Sequence, residues 1–160
     1  MVKVELKKMY EDVVVPEYAK EGDAGMDIRA YFTEEFVKKA GRDVYKEEGL
    51  RIEAGIRKII PTGIKVAIPN GYEIQVRPRS GMAFKKGLTV LNTPGTIDAG
   101  YRGEIGVIIY NAGHDSVTIE HGERVAQLVL NKVPQVEWDV VEELPESVRG
   151  ADGYGSTGEK

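Results

Sequence analysis

Ile64-Lys65-Val66-Ala67-Ile68-Pro69-Asn70-Gly71-Tyr72-Glu73-Ile74-Gln75-Val76 sets two short apolar runs on either side of a Pro-Asn-Gly turn. Side chains alternate across a strand, so Ile64, Val66 and Ile68 share one face, as do Tyr72, Ile74 and Val76. Two such runs joined by a three-residue turn signal read as paired strands. Working outward, the same signature returns. Val2, Val4 and Leu6 alternate with Lys3 and Glu5, and further runs occupy Leu88 to Leu91, Gly106 to Tyr110, Val117 to Ile119 and Arg124 to Leu130. Turn signals stand between them at Thr93-Pro94-Gly95, Asn111 to Asp115 and His121-Gly122. Many short strands at this spacing predict an all-β sandwich, jelly roll or barrel. Ser80 to Lys86 predicts a short helix with Ser80 as N-cap and Gly87 as its end. Phe32 to Glu48 is charged and reads as either a short helix or an elaborated loop.

Composition removes whole classes of function. The chain has 160 residues, 41% hydrophobic and 30% charged, which suits one globular domain. It has no cysteine, so disulfides, thiolate metal sites and a Cys nucleophile are excluded. His114 and His121 lie seven apart, without the spacing of a helical metal site. No apolar run reaches the length of a membrane span, and the first ten residues carry no signal-peptide core, so a cytoplasmic location without membrane contact is expected. A net charge of −4 argues against a non-specific nucleic-acid binder. Residues 1–141 are expected to form the single domain. Residues 142–160 are polar and glycine-rich, and are expected to be an arm that cannot fold alone.

Four segments carry chemistry. In the arm, Gly153-Tyr154-Gly155-Ser156-Thr157-Gly158 matches G-x-G-x-x-G, but a dinucleotide site needs a strand before it and a helix after it, and only two residues follow. What remains is a row of amides and hydroxyls that suits phosphate, with Arg149 as a fork-shaped cation; the alternative is a flexible tail. Arg77-Pro78-Arg79-Ser80-Gly81 opens the predicted helix and reads as an anion site or an ordinary cap. Asp98 stands three residues before Tyr101 in a glycine-rich turn. A carboxylate there can deprotonate a water, or simply accept backbone N–H groups. Asp23 to Ala30 reads as a turn leading into a strand.

Taken together, these segments resemble the trimeric all-β deoxyuridine triphosphatases (dUTPases). Ala24 to Ala30 (AGMDIRA), Pro78 to Gly87 (PRSGMAFKKG), Gly95 to Asn111 (GTIDAGYRGEIGVIIYN), Glu123 to Leu130 (ERVAQLVL) and Arg149 to Gly158 (RGADGYGSTG) are similar to that family's five motifs, in order. The resemblance implies a distorted jelly-roll barrel of the β-clip type, built as a homotrimer with active sites shared between subunits. It implies Mg²⁺-dependent hydrolysis of dUTP to dUMP and pyrophosphate, which keeps uracil out of DNA and supplies dUMP. Asp98 matches the water-activating carboxylate and Tyr101 the aromatic under the deoxyribose. Asn92, Gly95, Ile97 and Gly106 match the hairpin that reads uracil. Arg79, Ser80, Gly81 and Gln127 match phosphate ligands. Arg149, Tyr154, Gly155, Ser156 and Thr157 match the closing arm, and Asp27 matches an acid that touches the metal through water. Tyr154 departs from the family's usual Phe, and Phe32 to Arg57 is longer than compact members need, so it is expected to decorate the surface or an interface.

Three rivals are weaker. The sister family of deoxycytidine triphosphate deaminases uses a Glu further along the strand after Asp98; ten residues after Asp98 this chain has Ile108, and the surrounding GVIIYN carries no acid. A nucleotide-binding relative without catalysis would have no reason to keep Asp98, Tyr101 and the complete arm. A jelly-roll carbohydrate binder leaves the Arg79-Ser80-Gly81 loop and the arm unexplained.

Overall fold

The computed structural model describes residues 1–40, 44–45 and 49–151. Among these, strands dominate: β1 (Glu5–Lys8), β2 (Met26–Arg29), β3 (Val44–Tyr45), β4 (Gly49–Ile52), β5 (Arg57–Ala67), β6 (Tyr72–Arg77), β7 (Leu88–Val90), β8 (Gly95–Ile97), β9 (Glu104–Asn111), β10 (Val117–Ile119) and β11 (Arg124–Lys132). Two short helices join them, α1 (Glu34–Ala40) and α2 (Ser80–Lys86). The described strands divide among three sheets, in the orders β1-β5-β9-β7, β10-β4-β3 and β2-β11-β6-β8. Every pairing is antiparallel. The ladder therefore does not run round one closed barrel; the sheets wrap a shared core in the manner of a distorted jelly roll.

Alternation fills that core. Along β9, Ile105, Val107, Ile109 and Asn111 point inward while their neighbours face outward. They meet Ile60, Ile64 and Val66 of β5, Ile28 of β2, and Ala126 and Leu128 of β11, all buried. Each large aliphatic side chain so removed from water contributes about 2–3 kcal/mol. With Thr62, Asn111 is one of two buried polar residues among the described residues. Its amide donates to the carbonyls of Ile52 and Asp115 at 3.0 and 2.8 Å, which ties β9 to the second sheet.

Several sequence expectations shift. The first strand begins at Glu5 rather than Val2, and β8 forms where the sequence predicts no strand, starting on Gly95, the end of a turn signal. Arg79, not Ser80, is the N-cap of α2; it has extended backbone and makes no side-chain capping bond, so Ser80 is the first helical residue. Gly87 does end α2, at φ +66°. The segment from Phe32 to Arg57 is more than decoration. Thr33 Oγ1 accepts the Phe36 amide at 3.0 Å to start α1, and Leu50 and Ile52 of β4 are fully buried in the core. Leu50-Arg51-Ile52 carries the strand alternation, but its charged flanks masked it.

Residues 134–151 have exposed side chains and lie in no strand or helix. Within them Val136, Trp138 and Val140 alternate with Gln135, Glu137 and Asp139, and Trp138 is 84% exposed.

Candidate active site

Two groups of the expected residues assemble separately within one protomer. The first surrounds Asp27 on β2. The β2–β11–β6 register sets Asp27 opposite Gln127, and Gln127 opposite Arg77. The carboxylate of Asp27 accepts Arg79 Nε at 2.7 Å and Arg124 Nη1 at 3.2 Å. Gln127 donates through Nε2 to the Pro78 carbonyl at 2.8 Å, which holds the turn that leads into α2. A Cβ on Gly25 would collide with Gln127 Oε1, so the glycine makes room for that side chain. Ser80 and Gly81 are exposed, and their amides precede the first intrahelical bond, from Met82 N–H to the Arg79 carbonyl at 3.1 Å. Arg79, Ser80, Gly81 and Gln127 thus form a cationic, donor-rich corner. Beside it an open groove of about 440 Å³ runs past Ser80, Gln127 and Pro94.

Arg124 was not anticipated from sequence. Its place at the start of an apolar run gave no sign that it shares Asp27 with Arg79.

The second group lies along the hairpin between β7 and β9. Asn92, Gly95, Ile97, Asp98, Tyr101 and Gly106 line a pocket of about 160 Å³ together with buried Val76, Val90 and Val107. The Thr93–Pro94 peptide bond at its edge is cis. Asp98 begins a turn closed by the Tyr101 amide, which donates to the Asp98 carbonyl at 3.0 Å. That bond uses the main chain. Among the described residues no donor reaches the Asp98 carboxylate, so the reading of Asp98 as a turn residue satisfying backbone N–H groups does not hold. Tyr101 folds back over the turn, and its hydroxyl donates to the Glu104 carbonyl at 2.8 Å. Arg102 braces the same turn by donating to the carbonyls of Ala99 and Tyr101 at 2.6 and 2.7 Å.

Gly106 presents exposed backbone to this pocket. A Cβ there would come within 2.9 Å of Ile59 Cγ2 on the neighbouring strand.

The strand register measures how far apart the two groups are. Ile97 pairs with Ile74, so Asp98 falls level with Glu73, whereas Arg79 follows the far end of β6. Five or six extended residues at about 3.3 Å each separate them by roughly 15–20 Å. One protomer therefore does not bring Asp98 to Arg79, Ser80 or Gln127. Of the arm residues, Arg149 is exposed, while Tyr154, Gly155, Ser156 and Thr157 lie outside the described residues.

The donor set can be weighed against Mg²⁺. Among the described residues no three acids or histidines converge as a metal cage. Mg²⁺ keeps several waters and is commonly held by substrate phosphates with one or two carboxylates, so a lone acid such as Asp27 fits contact through water rather than a protein cage.

Comparison with known proteins places these features. The dUTPase family model matches residues 30–158. The deoxyuridine 5'-triphosphate nucleotidohydrolase of Fusobacterium nucleatum is 49% identical over 159 residues, covering 99% of each chain. That of Desulfotalea psychrophila is 52% identical over 148 residues, covering 92% of this chain and 89% of its own. Among solved structures, the dUTPase of Staphylococcus bacteriophage 80alpha with dUpNHpp superposes with a TM-score of 0.80 at 28% identity, over 98% of both chains. The dUTPase of phage phi11 of S. aureus, described with a structural Mg(II) ion, gives 0.73 at 25% identity over 90% of this chain and 99% of its own. With a family match over most of its length and relatives near half identity along nearly all of it, the chain belongs to the dUTPase family.

Proposed function

We propose that this protein hydrolyses dUTP to dUMP and pyrophosphate at sites shared between copies of the chain in a homotrimer. The observation that carries the reading is the unengaged Asp98 carboxylate at the rim of a narrow, glycine-walled pocket, in a chain of this family. The pocket is too small for a whole nucleoside triphosphate, which suits capture of the base and sugar alone. Asn92 and the backbone of Gly95, Ile97 and Gly106 offer hydrogen-bonding groups to the uracil edge. Buried polar groups left unpaired by a wrong base discriminate strongly. Tyr101 packs beneath the sugar, where a 2′-hydroxyl would crowd its ring.

In the reaction, Asp98 takes a proton from a water whose oxygen attacks the α-phosphorus. The bond from that phosphorus to the bridging oxygen breaks, and pyrophosphate leaves with the electron pair. Phosphoryl transfer depends mainly on positioning and on neutralising charge. Arg79, the Ser80 and Gly81 amides and Gln127 supply this along the phosphates. Mg²⁺, when bound, neutralises the triphosphate further, with Asp27 holding it through water.

Sharing between copies follows from the separation of Asp98 and Arg79, which one triphosphate must bridge. A symmetric oligomer can bring the hairpin of one copy to the cationic corner of another. The exposed Val136-Glu137-Trp138-Asp139-Val140 run supports such an assembly, because a segment outside the sheets that alternates bare apolar with polar side chains is suited to dock on another chain. Residues 142–160 act as the arm. Arg149, Ser156 and Thr157 would hold the terminal phosphate and Tyr154 would cover the base, excluding bulk water.

Hydrolysis of dUTP in ¹⁸O-water tests the chemistry. Label in dUMP is expected and marks attack at the α-phosphorus, whereas label confined to pyrophosphate contradicts it. Removing everything after Glu146 tests the arm. The melting temperature is expected to stay nearly unchanged, since the exposed segment contributes little burial, while dUTP turnover collapses. An unfolded truncation would instead make the segment a structural strap.

A further inference from the structure

β5 carries a local irregularity beside the hairpin pocket. Pro61 pairs with Gly106 and Lys65 with Glu104, so four steps on β5 face two on β9. Such a bulge leaves amides without ladder partners, and these must be satisfied elsewhere. A single oxygen, Oε1 of Glu104, accepts both of them: the Thr62 amide at 3.0 Å and the Gly63 amide at 2.7 Å. The rest of the bulge is also engaged. Pro61 and Gly63 carbonyls accept the Tyr31 and Met9 amides, each at 2.8 Å, and the buried Thr62 hydroxyl donates to the Ile105 carbonyl at 2.6 Å. Gly63 needs its left-handed backbone, at φ +68°, and a Cβ there would press on Val13.

The main chain that these bonds fix is the one that holds Tyr101. The Glu104 carbonyl accepts the Tyr101 hydroxyl, and Gly103 lies so close beneath the ring that a Cβ would collide with the hydroxyl oxygen. Tyr101 is itself 44% exposed, so surrounding packing alone does not hold its ring in place. Its placement depends on a carbonyl whose own residue is anchored, by a charge-assisted pair of bonds, into the next strand. We propose that Glu104 is a positioning residue for sugar discrimination: its carboxylate clamps the β5 bulge and thereby sets the carbonyl that orients Tyr101. The proposal rests on the reading of Tyr101 as the floor of the sugar site.

The experiment compares the full-length protein with Glu104→Gln, Glu104→Asp, Glu104→Ala and Tyr101→Phe. The readout is the ratio of kcat/KM for dUTP over UTP, with melting temperature alongside. The same ratio is taken as Kd for the α,β-imido analogues of the two nucleotides, which needs no turnover. Glu104→Gln retains an oxygen at the same reach and is expected to stay within about two-fold of the parent ratio. Glu104→Asp is too short to meet both amides and should lower it roughly ten-fold, as sub-ångström to ångström displacements of positioned groups do. Glu104→Ala should lower it at least as far, and Tyr101→Phe combined with Glu104→Asp should fall no further than the worse single variant, because both act through one contact. Variants that melt lower but keep the parent ratio would overturn the positioning role, with Glu104→Asp deciding should Glu104→Ala not fold. A parent protein that binds the deoxy analogue preferentially without turning dUTP over would overturn the hydrolytic reading and leave Glu104 to be judged on Kd. A parent with no preference for the deoxy sugar would overturn both.

Discussion

Asp98→Asn is expected to lower kcat for dUTP by about 10²-fold or more while leaving oligomer size, melting temperature and nucleotide affinity close to those of the parent. The expectation follows from how the residue is held. Its main-chain carbonyl closes the turn to Tyr101, and that bond survives the substitution. Its carboxylate makes no bond that the fold relies on, so Asn costs no burial and no ion pair. What Asn lacks is a basic oxygen able to take the water proton. Measuring kcat, light scattering and the dUTP-analogue Kd on one preparation separates the roles. Near-parent turnover would remove Asp98 from the chemistry, and loss of the oligomer would make it structural.

The second large effect concerns where the site is. Asp98→Asn and Arg79→Ala should each be nearly inactive alone. Co-expressed, the two chains should regain activity, because a site that takes Asp98 from one copy and Arg79 from another can be intact in a mixed assembly. With random mixing in equal amounts, about a quarter of the sites combine both parental residues. If both residues served the same site from one chain, mixing would restore nothing. The roughly 15–20 Å between them along β6 is what predicts recovery.

Much of the fold was readable because its core strands are short apolar runs bounded by turn residues. Gly106 to Tyr110, Tyr72 to Val76 and Arg124 to Leu130 all emerge as parts of β9, β6 and β11. The failures have local causes. β8 is three residues long and follows Thr93-Pro94, so its turn chemistry outweighed its pairing with β6. β4 hides Leu50 and Ile52 among charges that face solvent. Ser80 looked like a cap because serine so often is one, but the chain enters the helix through Arg79, whose guanidinium is drawn away to Asp27.

The candidate site divides in the same way. Its residue types were visible as motifs, since phosphate and water chemistry demand Arg, Asp, Gly and Ser in recognisable clusters. Their distribution over two separate corners was not visible, because separation along β6 depends on register. Arg124 and Glu104 were invisible for a further reason. Each acts through a long-range partner, Asp27 across 97 residues and Thr62 across 42, and no local pattern encodes such distances.

The most direct measurement is pyrophosphate release with Mg²⁺ from a panel of dUTP, dTTP, dCTP, UTP and dATP. Release from dUTP alone is predicted: dTTP fails on its methyl group, dCTP on its amino group, dATP on the size of its purine and UTP on its 2′-hydroxyl over Tyr101. Ammonia from dCTP, equal release from all five, or no release from dUTP would contradict it.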